Sequence, residues 1–296
     1  MWFRRSRVRD PSPSLKKVSG LWFQRSWVRV ATANRRSGEP PRLPPFQNPS
    51  ALRWDFCFYR FPKPFCIVLV KESAMYAFFY QLRSSATFQR TIFIILPLMH
   101  LVGFLGLQIS ISRPLFKALV PFHLLSSLIL LLLFHLDWNR FVVFFCLVAY
   151  FTGFVVEALG VHTGMIFGQY HYGATLGWKV LDVPLIIGVN WLTLTYAVGI
   201  IANRWHHSRW VKALLAAGVV VGIDVLIEPV AVRLDFWSWA GDSIPFQNYT
   251  AWYVVAFGLL WLFYQLPFPK QNRLAGLFLV CQILFFLAHN LMYILE

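Results

Sequence analysis

Gly222-Ile-Asp-Val-Leu-Ile-Glu-Pro-Val-Ala231 lies within an apolar run, 211–234, that is long enough to cross a bilayer as a helix. An ionisable group at membrane depth is expensive, so each one is read first as a functional candidate. Asp224 and Glu228 stand four residues apart, one helical turn, and so share a face. Asp235, seven residues further on, falls on the same stripe if the helix continues. Pro229 cannot donate to the carbonyl of Val225, which predicts a kink and a freed backbone group.

Comparable apolar windows occur at 91–109, 118–136, 141–161, 180–202, 249–266 and 274–295. With 211–234 they predict an all-α, polytopic membrane helix bundle of seven transmembrane helices. Polar residues interrupt the windows at 180–202 and 211–234, and a re-entrant segment is tolerated there if protein covers it. The chain has 296 residues, of which 58% are hydrophobic, 18% aromatic and 13% charged. A soluble domain of that length needs more polar surface.

The formal charge of +15 is concentrated at one end. Residues 1–90 hold 17 Lys and Arg against 4 Asp and Glu, whereas 91–296 hold 10 against 8. Residues 1–74 are rich in Arg, Ser and Pro, with a near-repeat at 2–9 and 22–29, and are expected to be a disordered extension or an over-long gene start. A transit peptide and a lipid-binding basic arm share that composition. The transmembrane domain is assigned to 75–296, and Met75 is the expected biological start. Nucleic acid is not an expected partner.

Basic residues near the helix ends set the orientation. With the N-terminus inside, Arg83, Arg90, Arg140, Arg204, Arg209, Lys212, Lys270 and Arg273 are cytoplasmic, against Arg113, Lys117, Lys179 and Arg233 outside. Glu157, Asp182 and Glu228 then lie near the outer side, with Asp224 deeper.

Each candidate also has a structural explanation. Asp224 and Glu228 can be hydrogen-bonded across helices or neutralised by Arg233; as a functional pair, burial and the like neighbour both favour the neutral acid. Asp182 precedes Val183-Pro184 and reads equally as a helix N-cap. Glu157 is open between the two. Asn190 can bind water or join helices. Tyr170, His171 and Tyr172, with Trp237, Trp239, Tyr249 and Trp252, fit an interfacial aromatic belt, and aromatic faces also stabilise cations. Gly160, Gly164 and Gly168 read as close helix packing. The four cysteines and eight histidines show no metal-site spacing, and no phosphate-binding glycine loop is present. No metal or cofactor is implied.

Five ordered motifs carry a resemblance: Phe167-Gly-x-Tyr-x-Tyr-Gly, Val183-Pro-x-x-Ile-Gly-x-Asn-Trp191, Asp224-x-x-x-Glu-Pro-Val-Ala231, Leu234-Asp-Phe-Trp-x-Trp239 and Pro245-x-x-Asn-Tyr249. Together they resemble the carotenoid biosynthesis membrane protein family, whose characterised members are carotenoid hydratases, over about 75–296. The resemblance implies addition of water to the terminal isoprenoid double bond of an acyclic, lycopene- or gamma-carotene-like end, giving a tertiary alcohol without a cofactor. It implies a multi-pass protein of a bacterial inner membrane, with the carotenoid taken from the bilayer, membrane lipids around it, and other enzymes of the pathway as partners. The chemistry assigns acid and base work to Asp224 and Glu228, with Asp182 and Glu157 as further candidates. Tyr170, Tyr172, Asn190, Trp191, Asp235, Trp237, Trp239, Asn248 and Tyr249 are the expected substrate contacts. A non-catalytic carotenoid or prenyl-lipid carrier is the alternative, and acid-initiated isomerisation or cyclisation a third.

Overall fold

The structure is a computed structural model that describes residues 26–32, 51–58, 65–72, 85–241 and 243–295. Contacts divide the chain into 1–80 and 81–296. In the first unit, β1 (Ser26–Thr32), β2 (Ala51–Phe58) and β3 (Phe65–Glu72) form an antiparallel sheet with β3 central. Regular structure was not expected there. The run Phe65-Cys-Ile-Val-Leu-Val70 is dense in strand-forming residues, which accounts for its central place. The near-repeat at 2–9 and the start at Met75 lie outside the described residues.

The second unit is the expected helix bundle. Its helices are α1 (Ala86–Gln108), α2 (Arg113–Leu133), α3 (Arg140–Thr163), α4 (Ile186–Ala202), α5 (Arg209–Arg233), α6 (Phe246–Gln265) and α7 (Leu274–Leu295). Side-chain caps start several of them. Ser85 accepts from the Phe88 amide, Asn139 from those of Phe141 and Val142, and Ser208 from that of Val211. α1, α2, α3, α5 and α7 are long and apolar enough to cross a membrane. Ile94, Leu101, Phe122 and Leu147 point outward from these helices, as side chains meant for lipid do.

Two windows differ from expectation. α4 begins at Ile186 rather than at 180 and is 17 residues long, because the preceding residues form a hairpin of β5 (Lys179–Val180) and β6 (Val183–Pro184). It is the central helix: every residue except Asn190 and Ile201 is buried. α6 is long but not apolar enough to count as a span; Gln247, Asn248 and Thr250 occupy its first turns. α5, by contrast, continues unbroken through Pro229 to Arg233.

One further pair of strands positions the site. β4 (Tyr170–Tyr172) follows α3, β7 (Trp237–Trp239) follows α5, and they pair antiparallel with Tyr170 opposite Trp239 and Tyr172 opposite Trp237. Alternation along a strand sends residues two apart to one face. Both tyrosines and both tryptophans are accordingly buried against the bundle, while His171 on the other face is exposed.

Candidate active site

Glu157 in the last third of α3 is buried and receives three hydrogen bonds. Tyr170 Oη and Tyr172 Oη donate to its Oε2 at 2.5 and 2.7 Å, and Trp191 Nε1 of α4 donates to Oε1 at 3.1 Å. Burial, and then the adjacent Glu157, raise the pKa of both phenols, so they remain donors. Glu228 of α5 is held in the same manner. Trp237 Nε1 and Trp239 Nε1 donate to its Oε2 at 3.0 Å each, and Asn248 Nδ2 donates to Oε1 at 2.9 Å. The two-stranded sheet thus aims two phenols at one glutamate and two indoles at the other.

Asp224, a turn below Glu228, is fully buried. Asn248 Nδ2 reaches its Oδ2 at 3.3 Å, and Oδ1 has no hydrogen-bond partner. An orphaned carboxyl oxygen at this depth is costly as an anion, less so as an acid. Asn248 therefore ties the two acids of α5 together from the first turn of α6.

Glu157, Glu228, Tyr170, Tyr172, Asn190 and Asn248 line one small cavity, closed further by Phe167, Trp237, Trp239 and Trp252. Its volume is about 20 Å3, room for one water molecule. Among the described residues, none of those lining it is basic. Asp224 lies behind Glu228 rather than in the wall. Arg233, a sequence candidate for neutralising the pair, packs over the Tyr293 ring at 4.0 Å.

Two predicted acids are not brought in. Asp182 is exposed in the β5–β6 turn, 3.5 Å from His162 Nε2. The residue before α4 is Leu185, without a side-chain cap, so the N-cap expected of Asp182 does not form. Asp235 leaves the stripe because α5 ends at Arg233; it takes φ +63° and accepts from the Ala174 amide at 3.3 Å, fastening β7 to the turn after β4. Tyr249 is half-buried in the first turn of α6.

Sequence reasoning also missed two supports. Trp252 was assigned to an aromatic cluster only; its ring stacks on Trp191 at 4.0 Å and walls the cavity. Gly153 of α3 was not singled out, yet a Cβ there would lie 2.4 Å from Trp191 Cβ and Cγ. Its small size lets α4 approach and deliver Trp191 to Glu157. Gly164 caps α3 at φ +63° and turns the chain back towards β4, so the 160–164–168 spacing serves that reversal rather than helix packing. A Cβ at Gly160 would strike Phe167.

Residues 117–295, more than half of the chain and the whole of this site, match the carotenoid biosynthesis protein family. The chain belongs to that family. Its bundle of apolar helices and its family place it in carotenoid biosynthesis as a membrane protein. A curated relative is the bisanhydrobacterioruberin hydratase of Haloarcula japonica, 31% identical over 106 residues. That match covers 33% of this chain and 36% of the relative, so the chain spans about a third of the relative's length. No solved structure matches this carotenoid biosynthesis protein.

Proposed function

We propose that this protein is a multi-pass membrane enzyme that adds water to the terminal trisubstituted double bond of an acyclic carotenoid end. The observation that carries the reading is the water-sized cavity between Glu157 and Glu228, walled by aromatic rings and backed by a third acid. Asp224 and Glu228 share one proton, which rests on the unpartnered Oδ1 of Asp224 when Glu228 is charged. In its protonated form Glu228 gives that proton to the less substituted alkene carbon, and the π electrons form the new C–H bond. The tertiary carbocation left behind is captured by water oxygen, and the water's proton passes to Glu157. Return of a proton from Glu157 to Glu228 restores the site, so the net change is one water added.

The aromatic rings have two roles in this scheme. Their N–H and O–H groups fix the carboxylates, and the faces of Tyr170, Tyr172, Trp237 and Trp239 shelter the cation. Exclusion of bulk water leaves the cation one nucleophile. Family membership and the name of the hydratase relative support the same reaction.

Expression in a lycopene-accumulating host tests the reading by product mass. The expected product is heavier by one water, and Glu228→Gln, expressed at the wild-type level, is expected to lose at least about 100-fold of that activity. Unaltered substrate with the wild-type protein would mean a carrier, and a new product of unchanged mass would mean isomerisation or cyclisation.

A further inference from the structure

The cavity between the glutamates has the volume of one water, far short of a long hydrocarbon chain, so the bulk of the substrate needs other space. A second cavity of about 320 Å3 lies among α1, α2 and α7, within the size range of small-molecule sites. Its walls are apolar and strongly aromatic: Phe116, Phe285 and Phe286 line it, with the edge-to-face rings of His100 and His123, 4.6 Å apart, on one side. Flat rigid walls suit a stiff conjugated chain. A saturated acyl chain loses more rotamer freedom on being ordered there.

Adjacent residues line the two cavities. Phe236 lines the larger one, and the next residue, Trp237, lines the smaller one and donates to Glu228. The two rings are 6.2 Å apart. On the α1 wall, Gly103 leaves the space open: an added Cβ would meet only Phe285 Cε2, at 3.8 Å.

We propose that the α1–α2–α7 cavity holds the conjugated chain of the substrate, whose terminal unit is led past Phe236 to Glu228. The identity of the reacting end rests on the hydration reading; occupancy by a polyene does not. Equilibrium binding of lycopene in detergent, followed by quenching of tryptophan fluorescence, tests the assignment. Gly103→Leu and Val120→Trp, which fill the cavity from α1 and α2, are each expected to weaken binding about tenfold while remaining monodisperse. Gly103→Ala is expected to bind as wild type does.

Binding undiminished in both filled variants overturns the proposal, as does equal displacement of lycopene by a saturated fatty acid. Loss of binding in the filled variants with no hydrated product from wild type keeps this assignment and removes the hydration reading. Hydration with an unchanged KM in Gly103→Leu does the reverse.

Discussion

Trp191 and Tyr196 stand on the same helix, both fully buried, and each anchors a buried polar network. The Tyr196 network joins three helices through mutually paired polar groups. His135 Nε2 lies 3.0 Å from the Asp137 carbonyl and so carries the hydrogen, which leaves Nδ1 to accept from Tyr196 Oη at 2.8 Å. Asn272 Nδ2 donates to the Leu131 carbonyl at 2.7 Å and to Tyr196 Oη at 3.2 Å, and its Oδ1 accepts from the Leu274 amide at 2.9 Å. These groups pair with one another and none is a carboxylate, an arrangement that ties α2, α4 and α7 together. The Trp191 network gathers three acids instead, surrounds two of them with six donors, and leaves one oxygen of the third unpartnered. A fold does not require that excess. On the hydration proposal, the contrast separates a network that holds the bundle together from one kept for chemistry.

The largest expected effect sets these two networks against each other. Asp224→Asn keeps the acceptor for Asn248 and removes a buried acid beside Glu228, so thermal stability in detergent is expected to hold or rise. Product formation is expected to fall at least about 100-fold, because the shared proton is lost. Asn272→Ala is expected to do the opposite: a loss of about 1–3 kcal/mol of stability from orphaned partners, with activity per folded molecule unchanged. Melting and turnover measured on both variants check the pair, and the reverse pattern would reassign the roles.

A smaller effect is expected at the support of the acid network. Gly153→Ala places a methyl group against the base of Trp191 and must displace it. Overpacking of this kind costs about 1–3 kcal/mol, and a shifted Trp191 loosens both Glu157 and the Trp252 stack. Activity is expected to fall about 10- to 100-fold, as geometric misplacement near a reacting centre does. Trp191→Phe, which removes the N–H but keeps an aromatic ring, is expected to lose less. Equal losses would assign the effect to hydrogen bonding alone.

The helices were readable because each is a long apolar run, and their order gave the bundle. The acid pair on α5 was readable because a four-residue spacing fixes two side chains on one face in any helix. Its partners were not, since no local pattern places β4 opposite β7; the pairing of Tyr170 with Trp239 joins segments about seventy residues apart. Gly153 carried no signal either, because its role exists only once α4 packs against α3. Asp182 and Asp235 misled for a related reason: both were placed by continuing or starting a helix, and in each case the backbone had already turned with positive φ. Strand formation at 65–72 was visible in composition but outweighed by the basic, proline-rich surroundings.

The smallest expected effect concerns that turn. Leu181 and Asp182 have φ of +51° and +59° between the paired residues Val180 and Val183. Two successive positive values in a two-residue hairpin loop are the geometry that Asn-Gly satisfies and that leucine resists. Leu181→Asn combined with Asp182→Gly is therefore expected to stabilise the protein by about 0.5–1 kcal/mol. The exposed contact with His162 that it removes is worth about 0–1 kcal/mol, so the gain in melting temperature is small, and product formation is expected to stay at the wild-type level. A loss of product in this variant would return Asp182 to the chemistry and erase the distinction between acids buried under the sheet and those left exposed in the turns.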